Sequence, residues 1–168
     1  PKAVVYKSEN GFGFDFDTHN NVEIRKGYVT SDKPFYFSIK LNEGKYRVTV
    51  DLGGDLQSNT TIKAESKRLM LKELNLEKKQ VATVEFSVDV RSPYITPNSV
   101  IAIKDRDKDQ LNWDNKLTLE FSGKSAVRNI KIVEDKSIRT LFLAGDSTVT
   151  HQDVESWASW GQYITNFF

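Results

Sequence analysis

The sequence predicts a mainly β chain, with an antiparallel sandwich of two sheets followed by a short strand, turn and helix. Three observations support this: period-two alternation of apolar and polar residues, turn-forming residues between the alternating runs, and a change of pattern near residue 137. Alternation places one set of side chains in a core and the other in water. We expect the sandwich to span residues 1–136 and the second unit to span residues 137–168.

The alternating runs come first along the chain. They are clearest at 46–52, 84–90 and 117–121, and less regular at 4–6, 12–16, 35–41, 61–64, 69–76, 100–103 and 130–133. Turn-forming residues separate them at 42–44, 53–55, 92–93 and 97–98. About ten short strands with this spacing are typical of a two-sheet antiparallel sandwich. The 69–76 run could also be a short helix; strand is preferred because Leu69 and Leu71 alternate and strands flank it.

The tail of the chain has a different pattern. Residues 140–144 are an apolar run without alternation, as in a strand that is buried on both faces. From about residue 155 to 168, apolar residues recur at helical offsets of three, four and seven; they are Trp157, Trp160, Ile164, Phe167 and Phe168. Strand, tight turn and helix in this order predict the opening of a parallel α/β sheet.

The turn between that strand and helix reads Gly145-Asp146-Ser147. Glycine permits a sharp turn at a strand end, and Ser147 would lie at the carboxyl edge of a parallel strand, where ligands bind. Backbone N–H groups near the turn could stabilise an oxyanion, although a serine nucleophile also needs a base. The alternative is an ordinary turn, since all three residue types favour turns.

A resemblance makes the catalytic interpretation more specific. The segment 140–150 resembles the first block of the SGNH, or GDSL, hydrolase family, and with 157–162 it is most similar to the rhamnogalacturonan acetylesterase-like branch. Segments 67–71 and 111–121 resemble the β-sandwich domain that precedes the esterase domain in bacterial members. The resemblance spans nearly the whole chain and implies a galactose-binding-like or jelly-roll sandwich, followed by the start of a flavodoxin-like α/β/α domain.

The resemblance also implies an activity. It would be removal of acetyl groups from pectic polysaccharide through an acyl-serine intermediate, with Ser147 as nucleophile and one backbone oxyanion donor, and with no cofactor. The family's other oxyanion residues and its Asp-x-x-His base match no position, so we expect this chain alone to be inactive. His151 follows Ser147 by four residues, but we interpret it as a loop histidine, because the base of a triad converges from elsewhere in the fold.

Composition restricts the classes of partner. Lys plus Arg number 24 and Asp plus Glu number 23, so no basic field for nucleic acid is expected. No run of about 18 apolar residues predicts a membrane span, and the absence of cysteine excludes disulfides and zinc–thiolate sites. By resemblance we expect a secreted or periplasmic bacterial protein whose signal peptide is not part of this chain. The apolar side of the C-terminal helix predicts packing on the sandwich, self-association, or packing against sequence that is not part of this chain.

Two further groups of residues suggest ligand sites. Asp105, Asp107 and Asp109 have the opening spacing of a calcium loop, but Gln110 and Lys116 replace its glycine and glutamate, so a charged surface loop is the alternative. Aromatic residues of the sandwich could stack on sugar rings or pack in the core; they are Trp113, Tyr94, Tyr28 and Tyr36. The alternative function is therefore a non-catalytic module that binds carbohydrate or braces a neighbouring domain.

Overall fold

The computed structural model describes residues 2–108, 110–152 and 156–168, without the side chain of Arg106. Twelve strands lie in these ranges: β1 (Phe12–Asp15), β2 (Glu23–Arg25), β3 (Tyr28–Ser31), β4 (Phe35–Lys40), β5 (Gly44–Leu52), β6 (Ser58–Ala64), β7 (Arg68–Leu76), β8 (Ala82–Val90), β9 (Tyr94–Thr96), β10 (Ser99–Val100), β11 (Lys116–Ser122) and β12 (Ser125–Glu134). One α-helix, α1 (Trp160–Tyr163), and 3₁₀ turns at Thr18–Asn20, Asp105–Asp107 and Ile164–Phe167 complete the described elements.

Ten of the strands form two five-stranded sheets. The first sheet has the order β1-β4-β11-β6-β7 and the second has the order β2-β3-β12-β5-β8, with antiparallel neighbours throughout; β9 and β10 form a separate ribbon. The prediction of a mainly β, two-sheet sandwich is confirmed, and 69–76 is a strand. The predicted run at 4–6 forms only a single bridge, from Val5 to Phe14.

The core lies between the inward faces of the central strands. Apolar residues at alternate positions of β5 and β11 are fully buried; they are Val48, Val50, Leu52, Leu117, Leu119 and Phe121. Phe35 of β4 stacks on Phe121 with ring centroids 5.0 Å apart. The pattern read from the sequence therefore identifies the buried face, because strand side chains alternate between the two faces of a sheet.

Strand β12 changes partners along its length. It pairs with β3 over Ser125–Val127 and with β5 from Val127 to Glu134, with an irregularity between Val127 and Asn129. After Val127 the edge of β12 that faces β3 has no strand partner within the described residues. The irregularity lies in the pairing with β5 and is of the kind that bends a strand, whereas the pairing with β3 ends where β3 begins, at Tyr28.

The tail differs from the sequence prediction. Residues 138–145 form no strand, and Leu141 and Phe142 are exposed, Phe142 to 88%. A strand buried on both faces needs neighbours on each side, and no described strand pairs with this run. The predicted helix over 155–168 is reduced to one α-helical turn and a 3₁₀ turn, and residues 153–155 lie outside the described ranges. In the described residues this segment forms neither the predicted strand nor the full predicted helix, and the start of a flavodoxin-like domain stays a prediction.

The C-terminal turn packs with its polar side inward, which corrects the predicted apolar packing. Ser159 and Gln162 are buried, while the aromatic residues remain half or mostly exposed; they are Trp157, Trp160, Phe167 and Phe168. Ser159 and Gln162 form a capping box, and Thr165 Oγ1 donates to the Leu69 carbonyl at 2.7 Å. Polar contacts thus attach this segment to β7. No helix in the described part of the chain has the length and apolar character to span a membrane.

Candidate binding surface

The predicted catalytic motif lies on the surface. Gly145 and Ser147 are exposed, and Asp146 Oδ1 accepts from the Thr148 N–H at 2.9 Å and from its hydroxyl at 2.8 Å. These hydrogen bonds hold the pKa of Asp146 below its ordinary value. The Val149 N–H donates to the Asp146 carbonyl, so this N–H and that of Thr148 are both engaged inside the turn. The motif forms an Asx-type turn, and the catalytic role of Ser147 stays a prediction.

Close packing explains the glycine of this motif. A Cβ on Gly145 would approach Val149 Cγ2 to 2.5 Å, so a larger residue would require the Val149 side chain to shift. His151 Nδ1 lies 3.5 Å from the Asn112 amide nitrogen, in the loop before β11. His151 itself lies outside any helix or strand of the C-terminal segment, as expected of a loop histidine.

The calcium hypothesis involves three aspartates, of which Asp109 lies outside the described residues. Asp105 pairs with Lys108 at 2.6 Å, and Asp107 Oδ1 accepts from Gln110 Nε2 at 3.1 Å. In the ranges that the structure describes, no three acidic or histidine side chains come together as a metal site.

A different cluster stands out on the outer face of the first sheet. It consists of Tyr6, Asp15, Phe16, Tyr36 and Lys116, which we call the aromatic–charged patch. Asp15 ends β1, Tyr36 lies in β4 and Lys116 begins β11, so three adjacent strands bring their side chains to one face.

Backbone geometry adds the two remaining aromatic rings. Phe16 has a φ of 52°, which ends β1 and turns its ring away from the apolar face that Phe14 occupies. The Tyr6 N–H donates to the Phe14 carbonyl at 2.8 Å, which holds the N-terminal segment against β1. A Cβ on Gly13 would lie 2.5 Å from the Tyr6 nitrogen, so this close approach requires glycine.

Lys116 is the centre of the patch. Its ammonium donates to Asp15 Oδ2 at 2.6 Å and lies 4.9 Å from the ring centroids of both Tyr6 and Phe16. The rings of Phe16 and Tyr36 meet edge to face at 5.3 Å. Cation–π contacts and an ion pair therefore fix one ammonium between two aromatic rings.

The carboxylates around Lys116 titrate differently. Burial acts to raise the pKa of Asp15, but hydrogen bonds from Lys116, Ser38 and the Phe16 N–H outweigh it, so the pKa lies below its ordinary value. Asp114 accepts from the Lys116 backbone N–H at 3.1 Å, yet burial raises its pKa. Burial also raises the pKa of the Tyr6 hydroxyl. The patch thus presents an ionised carboxylate beside a cation and a phenol.

Hydrogen-bonding capacity remains at this patch. A carboxylate offers about four acceptor positions and an ammonium three donors. Asp15 accepts hydrogen bonds from Ser38, Lys116 and the Phe16 N–H, and Lys116 donates one hydrogen bond to Asp15. Phe16 is 49% exposed. The surface therefore combines an accessible aromatic ring with neighbouring donor and acceptor positions.

Only one of the four aromatic residues singled out in the sequence belongs to this patch. Tyr36 lies in it, whereas Tyr28 is buried, Trp113 is half-buried in the loop before β11, and Tyr94 is exposed on β9. Sequence reasoning missed the other four members of the patch, and it missed Phe16 because alternation places Phe12, Phe14 and Phe16 on one face. The left-handed backbone at Phe16 breaks that pattern.

No family model and no curated protein matches the chain. Among solved structures, the C-terminal CBM6 of LamC, a laminarinase from Zobellia galactanivorans, is 15% identical, with coverage of 68% of this chain and 90% of the module and a TM-score of 0.39. A CBM4 structure is 12% identical over 74% of this chain and 86% of that one, with a TM-score of 0.41. Protein YXIM_BACsu from Bacillus subtilis is 21% identical over 96% of this chain, with a TM-score of 0.46; our chain spans 44% of its length.

These findings correct the functional prediction. The resemblance to SGNH hydrolases is wrong: no family model matches the chain, and the segment that carried the resemblance does not form the expected buried strand. The assignment as an acetylesterase fragment is wrong for the same reason. The physical cause of the error lies in the 140–147 segment, whose apolar run and Gly-Asp-Ser turn matched a family block but form an exposed, unpaired stretch.

Proposed function

We propose that this chain is a non-catalytic carbohydrate-binding β-sandwich, and that the aromatic–charged patch is its binding surface. The observation that carries this proposal is the position of Lys116 between the rings of Tyr6 and Phe16, in contact with Asp15. A sugar ring has an apolar face and a rim of hydroxyl groups. It therefore needs an exposed aromatic face with donors and acceptors beside it.

The patch offers both kinds of contact. Phe16 supplies the exposed ring, Asp15 supplies acceptor positions, and Lys116 supplies ammonium donors. The ion pair is only partly open to water, with both side chains 17% exposed. Its contacts with the rings fix the orientation of these groups before a ligand arrives, which reduces the entropic cost of binding.

The test is affinity electrophoresis of the protein in gels that contain soluble neutral and acidic polysaccharides, including rhamnogalacturonan with and without acetyl groups. We expect at least one polysaccharide to retard the protein, and both Phe16→Ala and Lys116→Met to reduce the apparent affinity about tenfold or more. The matched control is Tyr94→Ala, which removes an exposed aromatic ring from the β9–β10 ribbon. Unchanged retardation in both patch variants contradicts the proposal.

Finer predictions from the sequence are part of this proposal. They are a galactose-binding-like topology, a boundary between two units near residue 136, an acetylated polysaccharide as partner, and a secreted or periplasmic location. Self-association through the C-terminal segment also belongs here, supported by the exposed aromatic rings of Trp157 and Phe167. Sedimentation of the wild type and of Trp157→Ser over a range of concentrations tests the last of these.

A further inference from the structure

A second candidate site lies on the inner face of β4, opposite to the face that carries the aromatic–charged patch. A cleft of about 480 Å³ opens between the two sheets, where β12 leaves β3. Its walls come from β1, β3, β4 and β12, and its lining is almost entirely apolar; the half-buried members are Val29, Phe37, Ile39, Ile130 and Ile132. Its volume falls in the range of small-molecule sites.

The cleft is unusual for a protein interior. Cores are close-packed, with few voids larger than a water molecule. Here β3 begins at Tyr28, so its pairing with β12 ends at Val127, and the apolar surface beyond that point stays in contact with solvent. An apolar surface held open in this way marks an interaction site.

The lining excludes a sugar as the occupant. Arg128 and Asn129 are the polar lining side chains, and Asn129 already donates to Asp51 Oδ2 at 3.3 Å. Sugar hydroxyls inside the cleft would lose water without gaining partners, and burial of an unsatisfied polar group opposes binding. An aliphatic chain carries no such cost.

Arg128 indicates which polar group a ligand of the cleft would carry at its end. It lies at the bulge beside the β2–β3 turn, with Nη2 3.9 Å from the position of a Cβ on Gly27. Its side chain is exposed, and its charge acts on the carboxylate of Asp51, whose pKa is lowered mainly by hydrogen bonds from Thr83 and Asn129 and also by Arg128. A guanidinium pairs most strongly with a carboxylate, through two parallel hydrogen bonds.

We propose that this cleft binds the alkyl chain of an aliphatic carboxylate, with the carboxylate held by Arg128 at its mouth. The proposal is independent of carbohydrate binding, since the two sites lie on opposite faces of β4. Phe37 and Ile39 point into the cleft, whereas Tyr36 and Ser38 lie on the outer face.

The experiment is an NMR titration of the labelled protein with octanoate and, separately, with octan-1-ol. Both ligands are expected to shift the amide signals of Phe37, Ile39, Ile130 and Ile132. Arg128→Gln is expected to weaken octanoate binding about tenfold and to leave octan-1-ol binding unchanged, because only octanoate has a charge to lose. Lys131→Gln, a charge removal at an exposed position of the same strand, is the matched control and is expected to change neither.

A second variant tests the cavity itself. Val29→Phe adds volume at the wall of the cleft and is expected to abolish the shifts caused by both ligands. Ile132→Phe makes the same test from the facing strand if the first variant does not fold, as judged by its amide spectrum. The proposal is overturned by an absence of cleft shifts with wild-type protein, by equal loss of both ligands in Arg128→Gln, or by concentration-dependent shifts of the same amides without ligand, which indicate a second copy in the cleft.

Discussion

The side chain of Gln162 joins the C-terminal segment to the sandwich through the carbonyl of Ser66. Its Nε2 donates to that oxygen at 2.8 Å and to the Gln152 carbonyl at 3.2 Å. Its Oε1 accepts from the backbone N–H groups of Ser159 and Gln152 at 3.0 and 3.2 Å. The side chain is 1% exposed, so one buried amide with all its hydrogen-bonding positions filled connects the tail to the β6–β7 turn.

Replacement of this amide is expected to release the tail. In Gln162→Ala the four partners lose their hydrogen bonds, which destabilises the attachment of the segment by about 1–3 kcal/mol. Limited proteolysis is expected to cleave between residues 147 and 168 faster in this variant, with the sandwich left intact. Gln57→Ala, which removes an exposed amide bonded to Glu77, serves as the control. Equal cleavage rates in both variants would contradict the role of Gln162.

Glu65 makes stability depend on pH. Burial raises its pKa to about 8, against the opposing effects of the Thr118 N–H and Arg68. The folded state therefore favours the protonated acid, whereas the unfolded chain ionises near its ordinary value of 4.5. This contribution to stability is complete below about pH 4.5 and is lost as the pH rises toward about 8, by an amount on the order of 3–5 kcal/mol.

The check is the free energy of urea unfolding at about pH 5 and about pH 9. Wild-type protein is expected to be less stable at the higher pH. Glu65→Gln retains an oxygen for the Thr118 N–H and is expected to remove most of that difference. A variant with the same pH dependence as the wild type would place its origin in another group.

The Asp15–Lys116 ion pair is expected to show measurable coupling. Both side chains are mostly buried, and Asp15 also accepts from Ser38 at 2.8 Å. In a double-mutant cycle with Asp15→Asn and Lys116→Met, we expect a coupling energy of about 1–3 kcal/mol from unfolding experiments. Arg25 and Glu23, paired at 2.9 Å on the short strand β2, form a more exposed control pair. Their coupling is expected to stay below about 1 kcal/mol.

Ester hydrolysis is expected to be absent. In the described residues Ser147 is exposed in a turn whose N–H groups at Thr148 and Val149 bond to Asp146. Hydrolysis of p-nitrophenyl acetate should therefore match the buffer rate, and Ser147→Ala should leave it unchanged. Turnover that disappears in Ser147→Ala would revive the catalytic prediction for this residue.

Alternation in the sequence was sufficient for the sandwich and its core. Val48, Val50, Leu117 and Leu119 are buried as their period-two positions predict. The candidate site was not predictable in this way, because it depends on the left-handed φ of Phe16 and on long-range pairing that brings Lys116 to Asp15, 101 residues away. The cleft depends on where the pairing of β12 with β3 ends, which alternation does not signal.

For the tail, the local sequence pattern gave a wrong prediction, because contacts with the sandwich determine which side of the segment is buried. The apolar residues of 157–168 predict an apolar buried face, yet the structure buries Ser159 and Gln162. The turn at Ser66 offers a backbone carbonyl rather than an apolar groove, so polar contacts decide which side faces the sandwich.

Strand β4 has a dual role that constrains its length as well as its composition. Tyr36 and Phe37 are consecutive, but one ring serves the outer surface and the other the interior space between the sheets. Inserting or deleting one residue in this strand would exchange the two faces beyond that point. Such a change would disrupt both proposed binding sites in one step, so an indel in β4 should be tolerated far less than any single replacement there.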